Sequence, residues 1–462
     1  MISGLVDALA AGGLSVTTDP ALLAGHCVDW TGRWRGPALG AVRPTTTEQV
    51  AAVLAAARGA GVAIQVQGGN TGLVGGSVPD RPALLLLTSG LDRLDPVDPV
   101  ERTVRVGAGV TSARVAGHAR AAGLRFGVDL AARDSATIGG MAATNAGGMG
   151  VLAHGMMREQ VRGLVAVLAD GRVLSTVGRP RKDNCGYDLG QLLVGSEGTL
   201  GVITEVELQL HEAPAESSVG VLAAGSLAQA VGWARRVQAA GWPLLAAEVV
   251  DAAGVGRASA ALGRPDPLPA GAQWLLLLEV ADGATGQGLT TVGQHVVALG
   301  TQPAERARLW ALRETQTEVY AQLPSSPEKL DISLRLDALD AGVAAIRTTV
   351  AQSEAARADG PVGAGRVGFF GHALDGNLHV QLVDVAAGTA HLVLAQVAAL
   401  GGSISAEHGI GRMKAGQLHR SRSAEEIAWM RQIRAGVDPS GLLNPGVLFD
   451  EAGEAGEADD EG

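Results

Sequence analysis

Three short stretches made almost entirely of small residues constrain this chain more than any hydrophobic run does. The first, Gln67-Gly68-Gly69-Asn70-Thr71-Gly72-Leu73-Val74-Gly75-Gly76-Ser77, places five glycines in eleven residues after a strand expected at Val62 to Val66. The second runs from Ala136 through Thr137-Ile138-Gly139-Gly140 and Ala143-Thr144-Asn145 to Gly148. The third, Gly195-Ser196-Glu197-Gly198-Thr199-Leu200-Gly201, opens an alternating strand expected from Val202 to Leu210. Glycine-rich loops present successive backbone N–H groups as a concave nest with little side-chain bulk in the way. Three of them between residues 67 and 201 call for a large, extended ligand wrapped by backbone, and a dinucleotide such as FAD meets that requirement. The first loop lacks the Gly-Lys-Ser/Thr of a nucleotide-triphosphate loop. A dinucleotide-turn near-match at Gly107-Ala108-Gly109 has Ser112 where close helix packing wants Gly or Ala, so NAD is disfavoured.

Length and charge narrow the classes further. At 462 residues, two or three domains are expected, and a net charge of −11 leaves no basic stripe for nucleic acid. Part of the acidity lies in a tail, 451–462, that reads as disordered. Two distant cysteines, Cys27 and Cys185, without a CxxC pair, fit a reducing compartment. No apolar run reaches the ~18 residues of a membrane span, and the N-terminus lacks a signal-peptide pattern; the expectation is a soluble cytoplasmic protein. Helices are expected at Ile2 to Ala11, Val50 to Gly59, Leu227 to Ala240 and Gly288 to Leu299, with a domain boundary near Ala213.

In the second half, Asp375-Gly376 between apolar residues signals a hairpin with a two-residue turn. That turn would set His372 directly opposite His379 on one face, close enough to share a metal ion. Glu407 and His408 follow in Ser405-Ala406-Glu407-His408-Gly409-Ile410-Gly411. The expected ligand set is His372, His379 and Glu407, with His408 left to act as a general base; zinc ranks ahead of manganese. No His-Glu-x-x-His occurs, so a zincin protease is disfavoured. The run Trp310 to Thr317 has a helical pattern, in which Arg313 and Thr317 share a face and can grip one carboxylate.

Gln67 to Gly72, the Asp129 to Gly148 region, Arg181-Lys182-Asp183-Asn184, Gly186-Tyr187-Asp188-Leu189 and Gly195 to Thr199 together resemble the FAD-binding domain of the flavoproteins related to vanillyl-alcohol oxidase. The similarity runs from about Asp29 to Leu448 and is strongest to the D-2-hydroxyacid dehydrogenase branch, hydroxyglutarate enzymes in particular. Cys185 stands where that branch usually has Thr. The resemblance implies an α+β chain: a PCMH-type, two-part FAD-binding domain (41–213) after an N-terminal segment (1–40). An α+β substrate or cap domain (214–400) and a C-terminal segment returning to the flavin (401–450) would follow. It implies noncovalent FAD held by Gln67, Gly68, Gly69, Asn70, Thr71, Gly72, Gly75, Ser77, Thr137, Ile138, Gly139, Gly140, Ala143, Thr144, Asn145, Gly148, Glu197, Gly198, Gly201, Ile203 and Asn444. Arg313, Thr317, Lys329 and Gln381 would hold the substrate, with Gln381 replacing the usual Asn. The implied reaction is oxidation of a D-2-hydroxy acid, D-2-hydroxyglutarate first and D-lactate or glycolate as alternatives, with an electron-transfer flavoprotein or quinone as acceptor and a homodimer as the assembly. A metallohydrolase is the rival reading of the histidines and glutamate.

Overall fold

The structure, a computed structural model, describes residues 2–213, 216–323, 327–355 and 366–450. The acidic tail expected at 451–462 lies outside the described residues. The chain divides into two units: Met1–Gly148, His154–Ala213 and Glu407–Gly462 form the first, and Met149–Ala153 with Pro214–Ala406 form the second. The N-terminal segment expected at 1–40 falls within the first unit.

The first unit contains two sheets. In one, Ala38–Val42, Ala83–Leu87 and Ile64–Gln67 run parallel, with the short strand Val16–Thr17 added antiparallel at the edge. Parallel strands covered on both sides read as continuous apolar runs, and Leu84, Leu85 and Leu86 are fully buried. The helix Thr47–Ala60 packs against them. The Thr46 side chain caps its start by accepting from the Gln49 N–H, and Gly61 ends it in the left-handed region. The expected helix Ile2–Ala11 forms and buries Leu5 and Leu9 in the same core.

The other sheet is antiparallel and centres on the strand Val202–Glu212, which pairs with Thr103–Gly107, Val161–Val167 and Leu124–Phe126. The C-terminal segment closes the unit. Leu443 bridges Ile64, the Asn444 side chain accepts from the Val66 N–H at 2.8 Å, and it donates to the Glu197 carbonyl at 2.7 Å.

The second unit is built on one seven-stranded antiparallel sheet. Its order is Val296–Gly300, Ser217–Ala224, Trp274–Ala281, Leu244–Asp251, Val367–His372, Asn377–Leu382, Glu328–Ser333. Two expectations fail here. The helix expected from Gly288 to Leu299 is a 3₁₀ segment, Gln287–His295, broken at Val292 and followed by the edge strand Val296–Gly300. Gly293 and the β-branched Thr290, Thr291, Val292, Val296 and Val297 all weigh against an α-helix at this place. In the hairpin, Phe370 pairs with His379 and Gly371 with Leu378, which carries His372 opposite Asn377 rather than His379. A two-residue type I′ turn needs positive φ at both centres. Only Gly376 has it, while Asp375 instead accepts from the Asn377 N–H at 2.9 Å. The slip is two residues, and a two-residue slip keeps every side chain on its face. His372 and His379 therefore still share one.

In the first unit His154 and His211 pack as a tilted pair with ring centroids 4.3 Å apart, and the His211 Nε2 sits 2.7 Å from the Gln160 Oε1. Burial, then His211 and Arg125, lower the His154 pKa from 6.5 to about 4. The unfolded chain therefore takes up this proton first. The stability tied to neutral His154 is complete above pH 6.5 and is lost as pH falls toward about 4. Chemical denaturation at about pH 7 and about pH 5 should show a smaller loss of stability in His154→Gln than in the unaltered protein.

Candidate active site

The sheet of the second unit gathers polar residues that lie far apart in sequence. Glu248 is directly opposite His372, Asp331 is opposite His379, and Lys329 is opposite Gln381. Opposed residues share a face, as do alternate residues along a strand, so all six line one side of the sheet. The Glu248 Oε1 lies 2.5 Å from the His372 Nδ1, and the Asp331 Oδ1 lies 3.4 Å from the His379 Nδ1. The two imidazole centroids are 6.2 Å apart, and one ring nitrogen of each falls within 4.8 Å of the other. With Nδ1 of each ring turned to a carboxylate, the Nε2 edge faces away from that acid.

Asp331 is itself fixed, accepting from the Asn377 side chain at 2.7 Å and from the Ala406 N–H at 3.1 Å. Neither Glu248 nor Asp331 was among the sequence candidates. The available signal was an acid flanked on both sides by apolar residues, as in Leu-Leu-Ala-Ala-Glu-Val-Val and Leu-Asp-Ile, where an unpaired charge is not tolerated.

Arg313 reaches this face from the helix Pro303–Glu314. Its Nε donates to the Glu248 Oε2 at 2.8 Å, and its guanidinium lies 4.7 Å from the Phe370 ring centroid. The helix stops after Glu314, where Thr315 bonds back to the Ala311 carbonyl at 2.7 Å, and a second helix, Gln316–Ala321, begins. Thr317 belongs to that second helix and is half-buried, so the single-helix argument for its sharing a face with Arg313 does not hold. Lys329 is half-buried, and Gln381 is 2% exposed. The Gln381 Oε1 has no hydrogen-bond partner among the described residues.

Glu407 and His408 begin the return to the first unit, one residue after the second unit ends at Ala406. Glu407 packs against Gly147, where a Cβ would collide with its carboxylate. Ile410 and Gly411 donate their N–H groups to the Glu197 carboxylate at 2.8 Å each. Burial raises the Glu197 pKa, and those two bonds oppose the rise.

The three glycine-rich loops meet in the first unit. A Cβ on Gly68 would lie 2.5 Å from the Thr137 Oγ1, and one on Gly69 would strike the Ser135 carbonyl. The Glu197 N–H donates to the Ala143 carbonyl at 2.8 Å. Several of the residues expected at the cofactor also brace the loops through their side chains. Gln67 donates to the His26 and Ser77 carbonyls, Asn70 to the Val28 carbonyl, and Ser77 to the Asn70 Oδ1. Thr144 bonds to the Gly140 carbonyl, and Asn145, left-handed at φ 49°, accepts from the Arg158 N–H. What remains toward a ligand is backbone. Among the described residues the N–H groups of Gly68 to Gly72 find no acceptor, and the buried Thr137 hydroxyl has no partner. Unused amides beside an unpartnered hydroxyl suit an anionic, oxygen-rich group, which the pyrophosphate of FAD provides. The stretch Arg181 to Leu189, including Cys185, is exposed throughout.

Residues 38–176 match the FAD binding domain, and residues 213–448 match the C-terminal domain of the FAD linked oxidases. The chain belongs to the FAD-linked oxidase family. It is 36% identical to mitochondrial D-2-hydroxyglutarate dehydrogenase of Bos taurus, over 93% of this chain and 80% of that protein. It is 37% identical to D-2-hydroxyglutarate dehydrogenase of Xanthomonas citri pv. viticola, over 95% and 94%. Its fold is that of p-cresol methylhydroxylase, with a TM-score of 0.76 at 15% identity over 97% of both chains. This FAD-linked oxidase is therefore an oxidoreductase with a PCMH-type flavin fold. Gly69→Ala should overpack the loop junction by about 1–3 kcal/mol and yield protein with markedly reduced flavin content, read from its visible absorbance per chain.

Proposed function

We propose that this chain oxidises a D-2-hydroxy acid carrying a second carboxylate, D-2-hydroxyglutarate first, to the 2-oxo acid. The observation that carries this reading is the polar row on one sheet face. Two carboxylate-backed histidines stand there beside Arg313 and Lys329, within the region that matches the FAD-linked oxidase C-terminal domain. The donor set suits a borderline divalent ion: two imidazoles whose Nδ1 edges face carboxylates, and Glu407 assigned as the third ligand, with zinc preferred. The Gly68 to Gly72 amides and Thr137 are assigned to FAD. When bound, FAD supplies the hydride acceptor and the divalent ion a Lewis acid that lowers the hydroxyl pKa.

The protein's own residues do the rest. Arg313 and Lys329 hold the distal carboxylate, and Gln381, directly opposite Lys329, adds an acceptor oxygen that has no partner among the described residues. His408 is assigned to take the hydroxyl proton as the general base. Two cations at the distal end favour a diacid over lactate or glycolate. An electron-transfer flavoprotein or a quinone is assigned as the final acceptor. No described helix is long and apolar enough to cross a membrane.

His408→Ala should keep its flavin but reduce it about 10²–10⁴-fold more slowly with D-2-hydroxyglutarate under anaerobic conditions. Stopped-flow bleaching at the unaltered rate removes His408 from the proton step.

A further inference from the structure

Glu248 has two buried partners with different duties in the proposed reaction. Its Oε1 faces the His372 Nδ1 at 2.5 Å, and its Oε2 accepts from the Arg313 Nε at 2.8 Å. The carboxylate is 1% exposed and stands directly opposite His372 across the strand pair, so it has little freedom to rotate. We infer that Glu248 is a positioning residue that serves the metal and the substrate at once, a role that rests on the functional reading above.

On the metal side, a carboxylate facing Nδ1 fixes the tautomer in which Nε2 carries the lone pair. On the substrate side, the carboxylate engages Arg313 only through Nε. A guanidinium has five N–H donors in a rigid fork, so the four on Nη1 and Nη2 stay available for a carboxylate. The Phe370 ring beneath the guanidinium fixes its plane. One acid thus sets the direction of a metal ligand and of a substrate clamp, on a sheet that holds both in register.

The test compares Zn²⁺ affinity, measured by competition with a chromogenic chelator at about pH 8, in flavin-loaded Arg313→Met and in the double variant Glu248→Met/Arg313→Met. Replacing a buried ion pair by apolar side chains of similar volume commonly preserves the fold, so the double variant isolates what His372 loses. The expected result is about 10–100-fold weaker Zn²⁺ binding in the double variant than in Arg313→Met. In Glu248→Gln, KM for D-2-hydroxyglutarate should rise about tenfold or more and by more than KM for D-lactate, which has no distal carboxylate for Arg313 to hold. Equal Zn²⁺ affinity in the first pair, or an unchanged KM for the diacid in Glu248→Gln, overturns the inference. Zn²⁺ titration of the unaltered protein separates the two levels. Absence of binding there overturns the metal reading itself, whereas tight binding confines any failure to Glu248.

Discussion

A buried carboxylate in a sheet must be paired, and in the second unit that requirement organises the whole face. Glu248 and Asp331 are essentially inaccessible to water, where an unpaired charge costs several kcal/mol. Each finds an imidazole directly across its strand pair, and Glu248 adds Arg313 while Asp331 adds Asn377 and the Ala406 N–H. The pairing that makes the acids tolerable is the same pairing that aims the histidines. Stability and chemistry are therefore not separable at these positions. Removing Glu248 takes the buried partner from Arg313 and the Nδ1 contact from His372 in the same step.

The first unit meets a different constraint by a different device. Its glycines are needed because backbone from one loop rests on backbone or short side chains of another, as Gly68 does on Thr137 and Gly69 on Ser135. Side chains such as Gln67, Asn70 and Ser77 spend their hydrogen bonds inside the protein, which leaves main-chain amides for the cofactor. A surface of this kind binds a long ligand through many weak contacts and carries little side-chain chemistry of its own. The acid–base work then falls to residues supplied from elsewhere in the chain.

Features set by local chemistry were the ones legible in the sequence. The glycine loops, the Thr-capped helix and the alternating strand after Gly201 all form near their expected positions. The shared face of His372 and His379 was legible too, because side-chain alternation survives a two-residue slip. Their direct opposition was not, because the Asp375 side chain folds onto the Asn377 N–H and lengthens the turn. Glu248 was invisible for a deeper reason: its link to His372 spans 124 residues and exists only once strand order is known. The helix expected from Gly288 failed because Gly293 and the β-branched residues around it disfavour an α-helix and favour a strand. Most of the site's residue types were therefore readable from sequence, while the acids that orient them required the fold.

The account stands on a metal-assisted diacid oxidation carried out on bound flavin. The most direct measurement is anaerobic flavin reduction by D-2-hydroxyglutarate and by D-lactate, before and after chelation, with Zn²⁺ added back. The expected result is rapid bleaching by the diacid, much slower bleaching by lactate, loss of both on chelation and recovery with Zn²⁺. Bleaching that is indifferent to chelator, or equally fast with the monocarboxylic acid, contradicts it.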